Sequence, residues 1–195
     1  MKILLATIAG GIIAFVWSAI VHMNFGDFGL SVMGEKEGAV LAVLKSNLDK
    51  PGLYFYPGMD MSKKMSKEEE EAWNAKYKAG PVGLLLYHPT GNEPMPPKKL
   101  IVEFVATAIC AWIAALILSR TVGAWLCRAT MVAMMGVFTS LAISISQWNW
   151  FEFPFSFILI DAIDQAVGWF LAGLAIAKIV KPITVPTTTT QPAGA

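Results

Sequence analysis

The sequence predicts an all-α membrane protein: a four-transmembrane-helix bundle with a small extracytoplasmic α/β cap between helices 1 and 2. Three observations predict it. Of 195 residues, 55% are hydrophobic and 15% are charged, against about 25% charged in an ordinary soluble domain. The apolar residues gather into four runs, each near the ~20 residues that a bilayer-crossing helix needs. Basic residues then collect on one side of those runs. Fifteen Lys plus Arg against fourteen Asp plus Glu leave a net charge of +1, which excludes a general nucleic-acid-binding surface. Two cysteines are too few for a disulfide scaffold or a Cys-based zinc site.

The first run, Ile3 to Met23, follows Lys2 and exceeds the roughly 7–15 residues of a signal-peptide core. No small-x-small cleavage site follows it, so residues 1–23 read as an uncleaved first span. Residues 100–181 hold the other three. The second span, Leu100 to Leu118, opens after Pro96-Pro97 and closes at Ser119-Arg120; the third begins near Ala129 and ends at Gln147. The fourth, from about Phe155 to Val180, is bracketed by Pro154 and Pro182, since proline suits a first turn and discourages continuation after a last one.

Orientation follows from charge in the short segments. Lys2, Arg120, Arg128, Lys178 and Lys181 fall on one side with no acid among their neighbours, whereas the opposite turn carries Glu152 and no Lys or Arg. Both termini are therefore expected in the cytoplasm of a multi-pass cell-membrane protein, with residues 24–99 outside. Trp148, Trp150, Phe151, Phe153 and Phe155 read as an aromatic anchor at the outer headgroup layer.

Residues 24–99 are long enough for a small folded cap, and their ten basic and ten acidic residues balance. Val40, Leu41, Leu44 and Leu48 recur at helical spacing before Pro51-Gly52. A second helix opens at Ser66-Lys67-Glu68-Glu69, a capping-box pattern, and stops at Gly80-Pro81. Glu68 to Glu71 lie in its first turns, where carboxylates favour the helix dipole. Leu53 to Tyr56 and Leu84 to Tyr87 read as two short strands, either a β-α-β unit or antiparallel neighbours. Such a sheet is marginal alone, so the cap needs support from a helix, a membrane surface or a partner. The uncharged tail, residues 182–195, is Thr- and Pro-rich and cannot bury enough apolar area to fold.

Polar residues at membrane depth carry the functional signal. At about 100° per residue, Asp161, Asp164, Gln165, Gly168, Ala172 and Ala175 share one face of the fourth span. Its outer part is polar and its inner part small, the pattern of a helix-packing seam. Gly136, Ser140 and Ser144 make a matching stripe on the third span. Topology brings His22, Glu103, Gln147 and Asn149 to a similar level. Together with Asp161, Asp164 and Gln165 they form a candidate polar cluster, either structural or able to handle protons, ions or a metal. A bis-His haem site is disfavoured, because of the two histidines His88 lies outside the spans. No nucleophile elbow or phosphate loop is present. The sequence designates no catalytic or metal-binding residue and leaves the cofactor open. The expected function is a non-catalytic accessory, assembly or scaffold subunit, with the bilayer and other membrane subunits or further copies as partners. The alternative is a small transporter or proton/ion-handling protein, although inverted halves and broken helices, its usual marks, are missing.

Overall fold

A computed structural model describes residues 1–25, 29–60 and 62–184. In chain order these form α1 (Lys2–Phe25), a 3-10 turn (Gly34–Lys36), α2 (Glu37–Asn47), β1 (Gly52–Tyr56), α3 (Lys67–Ala79), β2 (Gly83–Tyr87), α4 (Pro97–Leu118), α5 (Trp125–Phe151) and α6 (Phe155–Ile179). Helices α1, α4, α5 and α6 are each long and apolar enough to cross a membrane. Most of the expected tail, beyond Thr184, lies outside the described residues.

The four long helices do not close into a ring. Helix α6 packs along α5 on one side and α1 on the other, α1 packs along α4, and α4 meets α6 over a shorter stretch. Helices α4 and α5 scarcely touch, so the arrangement is an arc with a gap between its two arms. Alanine makes this packing close: Ala6, Ala14, Ala111, Ala114, Ala115 and Ala172 are all buried in the core with Leu118, Val132 and Ile176. Side chains this small let helix backbones approach closely.

The third long helix is longer than its apolar run suggests. Trp148, Trp150 and Phe151 continue α5 instead of forming a loop, and Arg128 lies inside its opening turns. No proline interrupts the chain before Pro154, so nothing stops the helix earlier. The reversal into α6 takes three residues, with Glu152 in the left-handed region at φ 57°. Proline at 154 then sets the entry of α6.

Between α1 and α4, the two strands pair antiparallel in the register Gly52 to Tyr87 and Tyr56 to Gly83. The parallel β-α-β alternative does not occur. Helix α3, inserted between the strands, starts with the expected capping box: the Ser66 hydroxyl accepts from the Glu69 N–H, and the Glu69 carboxylate accepts from the Ser66 N–H. Aromatic contacts tie it to β1. The Trp73 indole donates to the Pro57 carbonyl at 3.0 Å, and Tyr77 stands 6.2 Å from Phe55, ring to ring. Helix α2 buries no residue, and its Val40, Leu41 and Val43 are exposed.

Candidate functional site

The site lies where the C-terminal part of α1, the N-terminal part of α4 and the first half of α6 converge. Asp164 is its centre. Its side chain is 4% exposed, and its Oδ2 accepts from the Ser18 hydroxyl at 3.1 Å. Ser18 in turn lies one helical turn before His22, whose Nδ1 is 2.8 Å from the Ser18 carbonyl and 3.2 Å from its hydroxyl. The i, i+4 spacing puts both on one face of α1. A hydrogen-bonded line thus runs from exposed His22 through Ser18 to a buried carboxylate.

The other oxygen of Asp164, Oδ1, makes no hydrogen bond of good geometry among the described residues, and the buried indole N–H of Trp17 is near enough to act on this carboxyl without meeting that geometry. Both residues line a cavity of about 170 Å³ shared with Ser18, Glu103, Thr107 and Gln165. A second cavity, about 90 Å³, lies on the other side of Asp164 against His22 and Asp161. Unpaired polar atoms in a low-dielectric interior are costly. A polar void beside them gives space for a bridging molecule that accepts from Trp17 and donates to Asp164. A water or a hydroxyl has both capacities.

The chain folds this way because α6 offers no bulk where α1 passes. A Cβ at Gly168 would lie 2.7 Å from Trp17 Cδ1. On the opposite side, a Cβ at Gly136 of α5 would collide with the Gln165 carbonyl. Helix α6 is thus pressed from both sides, and its polar residues divide between them. Asp161 accepts from the Ser144 hydroxyl of α5. Gln165 accepts from the Trp169 indole at 3.0 Å.

The structure gathers most of the expected cluster but not all of it. Asp164, Gln165 and Glu103 share the larger cavity, while His22 and Asp161 border the smaller one. Gln147 is half-buried and contributes its backbone carbonyl to the α5–α6 turn, and Asn149 is exposed. Among the described residues, no three His, Cys, Asp or Glu side chains come together as metal ligands. Of the seam, Gly136, Ser140, Ser144, Gly168 and Ala172 are buried, and Ala175 is half-buried.

Three residues of the site carry no sequence signal of their own: Trp17, Ser18 and Thr107. Ser18 could have been found from its spacing to His22. A fourth missed residue lies at the other end. Arg128, 1% exposed, donates from Nη2 to the Leu118 carbonyl at 2.7 Å and from Nη1 to the Val180 and Ala177 carbonyls at 2.8 and 3.3 Å. Its Nε donates to the Thr121 hydroxyl at 3.0 Å. One guanidinium therefore caps the C-terminal ends of two helices, where the helix dipoles favour a cation. Its signal was present, since Arg128, Val132, Gly136, Ser140 and Ser144 form one unbroken i, i+4 stripe. Comparison with protein-family models, curated proteins and solved structures finds no match for the chain.

Proposed function

We propose that the four long helices cross a cell membrane with both termini in the cytoplasm, and that the chain is a non-catalytic accessory or assembly subunit of a membrane complex. The observation that carries this reading is the gap between α4 and α5. It forms a groove of about 630 Å³, walled by Ile113, Ile117, Met131, Met134 and Phe138, with Gln165 on its floor. Methionine-rich walls adapt to an incoming surface. The Gln165 amide nitrogen meets no acceptor among the described residues, its oxygen being taken by Trp169. An acyl chain offers such a group nothing, whereas a transmembrane helix brings carbonyls and polar side chains. The occupant is therefore a helix of another subunit.

Gentle extraction from native membranes followed by native mass spectrometry tests it. A stoichiometric protein partner is expected, and Met134→Trp, at a groove position that is 69% exposed, should abolish its retention without lowering helix content. A chain that emerges alone or only with copies of itself overturns the reading. Orientation has its own test. In a chain with Cys110 and Cys127 replaced by Ser, Asn92→Cys should react with an impermeant maleimide in intact cells. Labelling only after lysis reverses the topology.

The unpartnered Asp164 Oδ1 favours one second reading, a proton- or ion-handling site at the carboxylate cavity. A transmembrane path is not supported by the packing beyond it. Ala111, Ala115, Leu118, Ala172 and Ile176 fill that region, and Arg128 closes its far end. Each of the four long helices is also continuous. Proton flux into vesicles holding the chain, abolished by Asp164→Asn, would favour this second reading over the first.

A further inference from the structure

A pocket of about 200 Å³ opens beside the Arg128 cap, between the start of α5 and the end of α6, lined by Gly123, Trp125, Arg128, Ala177, Lys178 and Lys181. Three of those side chains are cationic. The Arg128 guanidinium is buried and hydrogen-bonded to neutral oxygens, so among the described residues its charge has no counter-ion. Lys178 and Lys181 are exposed, and the one salt bridge among the described residues, Lys63 to Asp60, is far along the chain in the inserted segment. No Asp or Glu occurs in residues 1–5, 118–128 or 176–184. The Lys178 ammonium is held 5.7 Å from the Trp125 ring centroid, at the pocket's edge. Helix α5 also begins here, at an N-cap, Ala124, that makes no side-chain cap.

We infer that this pocket binds a phosphate-bearing anion, and that its source is the headgroup of an anionic lipid. Charge selects the ligand class. A buried, unneutralised guanidinium gains most from an anion brought within a few ångströms in a low-dielectric setting, and two flexible lysines can close over its outer oxygens. Uncapped N–H groups at the start of α5 add donors of the right polarity. Position selects the source. The pocket lies at the ends of two long apolar helices, which on the membrane reading is the depth of lipid phosphates, and Trp125 is the side chain suited to that layer. With the basic residues at the cytoplasmic face, the lipid belongs to the cytoplasmic leaflet. This inference rests on the membrane reading but not on the accessory role.

The test uses the full chain purified in mild detergent and offered phosphatidylglycerol, phosphatidylcholine or inorganic phosphate, with native mass spectrometry as readout. Phosphatidylglycerol should be retained in preference to phosphatidylcholine. Lys178→Ala and Lys181→Ala should each weaken that preference about fivefold, the effect of one basic residue at an anionic surface. Both lysines are exposed and neither makes a hydrogen bond among the described residues, so both variants should keep wild-type thermal stability. Equal retention of the two lipids overturns the site. Displacement of phosphatidylglycerol by equimolar inorganic phosphate overturns the lipid source. Failure of the membrane reading would show separately, as release of the chain from membranes by an alkaline carbonate wash.

Discussion

The two ends of the long helices solve the problem of a buried polar group in opposite ways. At one end Arg128 spends four donor contacts on Thr121 and on the carbonyls of Leu118, Ala177 and Val180. The C-terminal carbonyls of α4 are completed locally as well: the Ser119 hydroxyl donates to Leu116, and the Thr121 hydroxyl joins Arg128 on Leu118. At the other end Asp164 pairs one oxygen with Ser18 and turns the other toward the Trp17 indole and a polar cavity between α1, α4 and α6. A satisfied network serves stability; an unsatisfied one next to a cavity is a place for something else to bind. The same helices thus hold a filled polar network at one end and an open one at the other.

Replacement of Arg128 should have the largest effect. Arg128→Met leaves three buried carbonyls without their charged donor, and a loss of about 2–4 kcal/mol is expected in thermal or denaturant unfolding. Arg128→Lys should recover only part of it, because a single ammonium cannot span both helix ends. Gly136→Ala comes next, at about 1–3 kcal/mol, since its methyl group must push α5 off the Gln165 carbonyl. A wild-type melting temperature for this variant would show that the seam is looser than the structure has it.

Legibility from sequence followed the same division. The length of the apolar runs and the residues that bound them located the four long helices to within a few residues, because a bilayer-length apolar run has few alternatives. The small-residue stripes were readable for the same reason: Gly136, Ser140 and Ser144 recur every fourth residue. Placing the third span's start at Ala129 put Arg128 in a loop and hid its role, although it belongs to that stripe. Trp17, Ser18 and Thr107 were hidden by a different cause. Their importance comes from which helices become neighbours, and no single-helix pattern encodes that. On sequence the strand pairing divides between two topologies for a similar reason: each strand is legible and its partner's direction is not.

Smaller effects sharpen the contrast. Ser66→Ala should cost about 1 kcal/mol by removing one capping-box bond. Hydrogen exchange should show the loss confined to α3, with α5 and α6 unchanged. Asp164→Leu should alter stability by less than about 1 kcal/mol, because it removes one paired and one unpaired oxygen and fills space. A loss as large as that of Arg128→Met would make the cavity a structural element and end the contrast. The smallest effect is at Asp60, whose carboxyl is held below the ordinary 3.8 chiefly by the Ser62 hydroxyl and also by the Ser62 N–H. A depressed value means that this turn's contribution is present above pH 3.8 and is lost as pH falls through the lower folded value. The Asp60 carboxyl resonance in an acid titration should report a midpoint below 3.8, with the long helices unaffected.

The three-residue reversal at Glu152 also sets an order in time. Helices α5 and α6 are consecutive and tightly joined, so their shared seam can close as soon as both have been synthesised. Helix α1 can join α4 once the long insert and α4 have been made, but its contacts with α6 link the first and last long helices of the chain and close last. Trp17 and Ser18 therefore meet Asp164 at the final step. Until then the carboxylate is without its α1 partner, and the α1–α4 pair has yet to seat on the α5–α6 pair.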